Sequence, residues 1–123
     1  SVKIAKMVDR KNFGAALNLC HLLKVEGIEE LDTKIETYTP WLFAVNISGA
    51  DIGDTKEFGW DRLIQPLGQG SFDTYAFVKS LKDHGYDGPF GIQVYNLKGD
   101  VVETLTKTKE VWEGYKRRYA QEN

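Results

Sequence analysis

The sequence predicts an α/β fold built from parallel βα units. Three short apolar runs, near residues 13–19, 41–47 and 90–94, have the length and composition of strands covered on both faces. Between them, apolar residues recur every three or four positions, as on one face of an amphipathic helix. Strands that alternate with helices form right-handed crossovers and a parallel sheet. We therefore expect the three strands to run in the same direction.

Boundary residues support the predicted helices, which lie near residues 2–8, 28–38, 73–84 and 100–119. Asp73 and Asp100 are expected to cap the third and fourth helices at their amino ends. Glu103 follows Asp100 at the spacing of a capping box. Gly85 is expected to end the third helix in the left-handed conformation that glycine adopts readily. A long Gly- and Asp-rich connection, residues 46–71, separates the second strand from the third helix, and loops of this length are usually functional or mobile.

The composition argues against several classes of protein. The chain has 123 residues, 41% of them apolar and 28% charged, which is typical of a globular unit. Its net charge of −2 offers no electrostatic basis for binding nucleic acid or an anionic membrane, and no stretch is apolar enough to span a bilayer. The single cysteine, Cys20, excludes an internal disulfide and is interpreted as a small buried side chain rather than a nucleophile. Nothing distinguishes a cytoplasmic from a periplasmic location.

Polar residues follow each predicted strand at its carboxyl end, where parallel α/β folds place their functional sites. The three segments are residues 18–21, 46–51 and 93–96. They are rich in amides, contain one histidine, and have Asp51 as their nearest carboxylate. Because asparagine and glutamine can donate and accept hydrogen bonds at once, such a set suits neutral hydroxyl groups.

Three motifs occur in order along the chain: Asn18-Leu19-Cys20-His21, Gly68-Gln69-Gly70-Ser71-Phe72-Asp73 and Gly85-Tyr86-Asp87-Gly88-Pro89. In this order and spacing they resemble the last three βα units of the xylose-isomerase-like (β/α)₈ TIM barrels. The resemblance covers essentially the whole chain. It implies that residues 1–123 are the C-terminal three units of a barrel and a partial domain, because three strands cannot close a barrel. We expect the sheet edges to be covered by the missing barrel half or by another chain of the same protein.

The resemblance also implies a divalent metal site, for Mn or Mg, in the parent family. There the last three units supply an aspartate with a nearby histidine, then a histidine, then a glutamate. In this chain those positions hold Asn18 with His21 nearby, then Asn46, then Gln93. An amide offers a hard cation only a neutral oxygen. We therefore expect no metal or other cofactor to be bound by this segment, and its catalytic residues are unknown.

Six residues form the candidate substrate-binding set: Asn18, His21, Asn46, Trp60, Arg62 and Gln93. The amides either line one binding pocket or simply form hydrogen bonds at the strand ends. His21 either binds substrate or forms hydrogen bonds with neighbouring backbone groups. Trp60 either stacks on a sugar face or anchors its loop. Arg62 falls where related enzymes place a substrate-binding arginine, although the loop here is longer.

These observations favour a sugar (phosphate) isomerase/epimerase-like barrel protein. In the parent family, a base removes the proton next to a carbonyl group. The alternative is a non-catalytic carbohydrate-binding barrel that has lost the metal site. A nuclease is disfavoured, because that chemistry needs a cluster of His, Asp and Glu ligands and basic contacts to phosphate. The expected partner is a small-molecule carbohydrate, with no nucleic acid and no membrane.

The three amides generate a prediction about metal binding. The unmodified chain should not bind Mn²⁺ tightly through Asn18, Asn46 and Gln93, because neutral amides do not compensate a cation for its lost water. Restoring Asn18→Asp, Asn46→His and Gln93→Glu together should raise Mn²⁺ affinity, provided that the other barrel strands complete the site. Calorimetric titration with Mn²⁺ measures both effects. Tight binding by the unmodified protein, lost on Gln93→Ala, would show that the substitutions have been misread.

Overall fold

One parallel sheet organises the chain. The computed structural model describes residues 2–123. Its strands are β1 (Ala15–Asn18), β2 (Leu42–Ile47) and β3 (Phe90–Ile92), hydrogen-bonded in the order β1-β2-β3 with both pairings parallel. The predicted α/β class and the common strand direction are therefore confirmed. β1 and β3 are shorter than the predicted runs 13–19 and 90–94.

Six helices accompany the sheet within residues 2–123. They are α1 (Val2–Val8), α2 (Leu19–Glu26), α3 (Leu31–Tyr38), α4 (Trp60–Leu63), α5 (Thr74–Asp83) and α6 (Val101–Glu122), with a 3₁₀ turn at Thr39–Trp41. The prediction missed α2, which starts directly after β1 with no connecting loop. A buried strand and a buried helix are both continuous apolar runs, so periodicity cannot locate the junction between them.

The core lies on one face of the sheet. Val45 and Ile47 of β2 are fully buried, and they belong to the same apolar cluster as Leu23 of α2 and Leu81 of α5. On the opposite face Ala16 of β1 is exposed. The helices of this chain therefore bury one side of the sheet and leave open the other side, which carries Ala16.

The boundaries of α5 agree with the prediction. The Asp73 carboxylate accepts the backbone N–H of Ala76 at 3.0 Å, which is the expected N-cap bond. After the helix, Gly85 takes a φ of +97°, and the backbone N–H of Tyr86 returns to the Leu81 carbonyl at 2.9 Å. The chain is thereby turned back toward the sheet just before β3.

Two helices have predicted apolar stripes that are only partly buried. In α1, Ala5 is buried, whereas Ile4 and Val8 of the same predicted stripe are exposed. In α6, Val101 and Leu105 of the predicted stripe are exposed, whereas Thr108 is buried and Trp112 and Tyr115 pack against the core. None of the helices within residues 2–123, including α6, is apolar enough over sufficient length to cross a membrane.

The contrast between buried and exposed leucines yields a stability prediction. Leu23 is 0% exposed, whereas Leu105 is 51% exposed. Leu23→Ala should lower the free energy of unfolding by about 2–5 kcal/mol, because it removes core contacts and leaves a cavity. Leu105→Ala, the matched control, should change it by less than about 0.5 kcal/mol. Urea unfolding followed by circular dichroism measures both, and equal losses would contradict this location of the core.

Candidate functional site

The structure places the three predicted amides on one face of the sheet, at the carboxyl ends of the strands. Asn18 is the register partner of Asn46, which in turn pairs with Gly91. Register partners in a sheet lie side by side on the same face, about 4.8 Å apart. Gln93 extends β3 by donating its backbone N–H to the Ile47 carbonyl at 2.8 Å. We call Asn18, Asn46 and Gln93 the amide row, and it lies on the face that the helices leave open.

Asn18 is positioned by the junction between β1 and α2. It is the last residue of the strand and also the N-cap residue of the helix, yet its side chain makes no capping hydrogen bond. Instead its Oδ1 accepts a hydrogen bond from the Cys20 thiol at 3.2 Å. The side chain is thus held at the strand end by a neighbouring side chain rather than by the helix backbone.

Cys20 has a role that the sequence did not predict. Its side chain is completely buried, and this burial raises the pKa of the thiol above its ordinary value of 9.0 despite opposing backbone hydrogen bonds. The thiol is therefore protonated near neutral pH and can act as the donor to Asn18. The expectation that Cys20 is a buried side chain and not a nucleophile agrees with this environment.

Gly91 is a second positioning residue that the sequence analysis missed. A Cβ added at Gly91 would overlap Oδ1 of Asn46. The Asn46 carboxamide oxygen therefore occupies the space above β3 that any other residue would fill. A glycine inside a predicted strand often marks such a close approach, so the signal was present in the sequence.

Gln93 is fixed through the turn after β3. Its Oε1 accepts the backbone N–H of Tyr95 at 3.0 Å. The next residue, Asn96, has a φ of +59°, a left-handed conformation that asparagine tolerates better than most residues. This turn sets the orientation of Gln93 and ends the third strand.

His21 and Trp60 form an aromatic pair beside the strand ends. Their ring centroids are 5.4 Å apart with planes at 76°, an edge-to-face arrangement. Trp60 also lines a cavity of about 250 Å³ together with Tyr95 and Asn96. The loop after β2 and the turn after β3 therefore meet around this cavity, and both predicted residues have exposed side chains.

The segment that carries Trp60 is tied to α2. The Thr55 hydroxyl donates to the Leu23 carbonyl at 2.5 Å, and the Lys24 ammonium donates to the Phe58 carbonyl at 2.6 Å. Both bonds join the Trp60 segment to the carboxyl-terminal half of α2, the helix that also carries His21. They therefore fix the position of Trp60 relative to His21.

Arg62 belongs to a separate cluster. Its Nε lies 3.2 Å from Asp51 Oδ2, and its guanidinium stacks 3.7 Å from the Phe58 ring centroid. The backbone N–H of Ser71, bonded to the Asp51 carboxylate, contributes most to holding the pKa of Asp51 below its usual value, and the Gln65 and Arg62 side chains add to the effect. In this arrangement Arg62 links two parts of the long connection. Its role in binding substrate stays a prediction.

The donor set of the amide row does not fit a divalent metal. Within residues 2–123, no group of three or more His, Cys, Asp or Glu side chains is arranged to hold a metal ion. Two of the row's three oxygens, on Asn18 and Gln93, already accept hydrogen bonds from the protein. Hard cations favour several oxygen ligands, commonly carboxylates, and this row offers only neutral ones.

Comparisons with known proteins agree with this architecture. The family model described as xylose isomerase-like TIM barrel matches residues 1–113. A solved structure, the xylose isomerase domain protein from Planctomyces limnophilus, aligns with a TM-score of 0.69 and 18% sequence identity. The alignment covers 97% of this chain and 41% of that chain, so this chain spans less than half the length of that protein. At this identity the likeness shows the fold alone. The comparison with curated proteins gives no significant match.

The contact between Gly91 and Asn46 generates a prediction. Gly91 has no positive φ, so alanine is compatible with its backbone, and Gly91→Ala would ordinarily be neutral or stabilising. Here the new methyl group meets Asn46 Oδ1, the end of a side chain that can rotate away, so the free energy of unfolding should change by less than about 1 kcal/mol. In an Asn46→Ala background, where that oxygen is gone, the same substitution should stabilise the chain by about 0.5–1 kcal/mol. Chemical denaturation of the single and double variants measures this coupling, and an equal effect of Gly91→Ala in both backgrounds would contradict it.

Proposed function

Because the chain belongs to the xylose isomerase-like TIM barrel family, we propose that it is part of a sugar isomerase/epimerase-like protein and recognises carbohydrate hydroxyl groups. The observation that carries this proposal is the amide row at the carboxyl ends of the strands. Binding sites in TIM barrels are built at this edge from residues of several strands. Carboxamides are suited to hydroxyl groups, because their N–H groups donate to the hydroxyl oxygen.

The aromatic pair adds a second type of contact. Trp60 is 43% exposed and presents ring surface to the cavity of about 250 Å³. The apolar C–H face of a sugar packs against such a ring while its hydroxyl groups bond polar neighbours. Asn18, Asn46 and Gln93 do not line this cavity, so Trp60 offers a contact separate from the amide row.

The residues of this segment support binding and orientation rather than proton transfer. In the parent reaction, a base removes the proton next to a carbonyl group. Carboxamides do not titrate, so Asn18, Asn46 and Gln93 are unsuited to this role. In an active enzyme the base, and any metal, would come from other strands of the barrel. This segment would hold the sugar in position against them.

A non-catalytic carbohydrate-binding barrel is the second candidate. It is favoured by the donor set, because all three positions of the implied metal site carry amides and two of their oxygens are bonded within the chain. Exchange of sugar protons with solvent deuterium, followed by NMR, separates the candidates for the complete protein. Binding with exchange supports an isomerase or epimerase, whereas binding without exchange supports the second candidate.

The position of Trp60 generates a prediction about binding. Trp60→Ala should weaken the binding of a monosaccharide about tenfold, equivalent to about 1.4 kcal/mol, because it removes the stacking surface. Phe13→Ala is the matched control. Phe13 has a similar exposure of 41% but precedes β1, at the opposite end of the sheet. Calorimetric titration with D-glucose and D-fructose measures both variants. Equal losses in the two, or none in Trp60→Ala, would remove Trp60 from the site.

A further inference from the structure

We propose that the amide row presents hydrogen-bond donors to its ligand and takes the carboxylate of a sugar acid in preference to a neutral sugar. This inference rests on the proposed function, because it assumes that the row binds a carbohydrate. It adds the chemical class of the ligand, and it follows from the orientation of three carboxamide groups.

The first step concerns the two ends of the row. Asn18 Oδ1 accepts from the Cys20 thiol at 3.2 Å, and Gln93 Oε1 accepts from the Tyr95 backbone N–H at 3.0 Å. A carboxamide whose oxygen is bonded to the protein offers its two N–H groups on the other side. Among the described residues, the amide nitrogens of Asn18 and Gln93 donate no hydrogen bond to the protein.

The second step concerns the middle of the row. Asn46 Oδ1 lies against Gly91, in the space that a Cβ would take. Its oxygen is therefore directed toward the neighbouring strand, and its NH₂ group is directed away from that strand. All three oxygens thus face the protein, by three independent contacts on three different strands or strand ends.

The third step is the match between these donors and possible ligands. A carboxylate only accepts hydrogen bonds, at about four lone-pair sites, so each amide N–H that reaches it finds an acceptor. A hydroxyl group can also accept from these N–H groups, but its own proton finds few acceptors in the row. A cation meets N–H groups with partial positive charge. Hydrogen bonds to an ionised acceptor are roughly twice as strong as neutral ones, which offsets part of the cost of removing the carboxylate from water.

Charges around the site permit an anionic ligand. The nearest carboxylate along the strand ends, Asp51, is paired with Arg62 at 3.2 Å. The cavity beside Trp60 is lined by one acidic residue, Asp61, and by one basic residue, Lys98, whose ammonium donates to Asn96 Oδ1 at 3.1 Å. The charges on this cavity therefore balance. The preference for an anion arises from the oriented amides rather than from a net positive charge.

The test compares ligands that differ in one oxidised carbon. Calorimetric titration of the full chain at pH 7 and constant ionic strength uses D-glucuronate and D-glucose, with glucose 6-phosphate as a second anion. D-Glucuronate should bind at least tenfold more tightly than D-glucose. Binding of glucose without any advantage for glucuronate overturns this inference and leaves the proposed function intact. Binding of neither sugar overturns both. Tighter binding of the phosphate than of glucuronate overturns the assignment of a carboxylate.

Two substitutions test the orientation of the amides. Asn18→Asp and Gln93→Glu each replace an outward NH₂ group with a carboxylate oxygen, while the inward oxygen can still accept its existing hydrogen bond. Each should weaken glucuronate binding more than tenfold and change glucose binding less than about threefold. Asn12→Asp is the matched control, because it adds the same charge in the exposed turn before β1. Circular dichroism verifies folding, and Gln93→Glu, which lies beyond β3, keeps the test available if Asn18→Asp does not fold. Tighter glucuronate binding in either variant overturns the proposal.

Discussion

The site depends on the register of three parallel strands. Because Asn18 pairs with Asn46 and Asn46 with Gly91, residues that are far apart in the sequence lie in one row across the sheet. A shift of one residue in either pairing would move the side chains of that strand to the opposite face, among the buried apolar residues. The apolar side chains of Val45 and Ile47, which must face the core, therefore also determine that Asn46 faces away from it. The same strand register therefore packs the core and places the Asn46 side chain on the open face.

The sequence was sufficient for the architecture but not for all of its junctions. Asp73, Gly85 and Tyr86 act through local backbone chemistry, so the end of α5 and the return to the sheet were predictable. The start of α2 was not, because the apolar run from Phe13 onward has no turn signal where the strand becomes a helix. Side-chain pairs such as Asn46 with Gly91 depend on register, which local sequence patterns do not determine.

The same distinction applies to the candidate site. The strand-end rule identifies the three amides and His21 from the sequence alone, since it requires only the positions of the strands. It could not predict how the carboxamides are oriented, because folding is what brings the Cys20 thiol to Asn18 Oδ1 and the Tyr95 backbone N–H to Gln93 Oε1. Arg62 was assigned to the binding set from a family pattern. In the structure it has local partners in Asp51 and Phe58, which the sequence analysis did not predict.

The N-cap position of α2 carries a further consequence. An asparagine that caps a helix contributes about 1 kcal/mol to its stability, and evolution cannot easily exchange such a residue without weakening the fold. Asn18 stands at this position without making the capping bond. Its identity is therefore not fixed by helix capping, so a substitution at this strand end costs α2 none of that contribution.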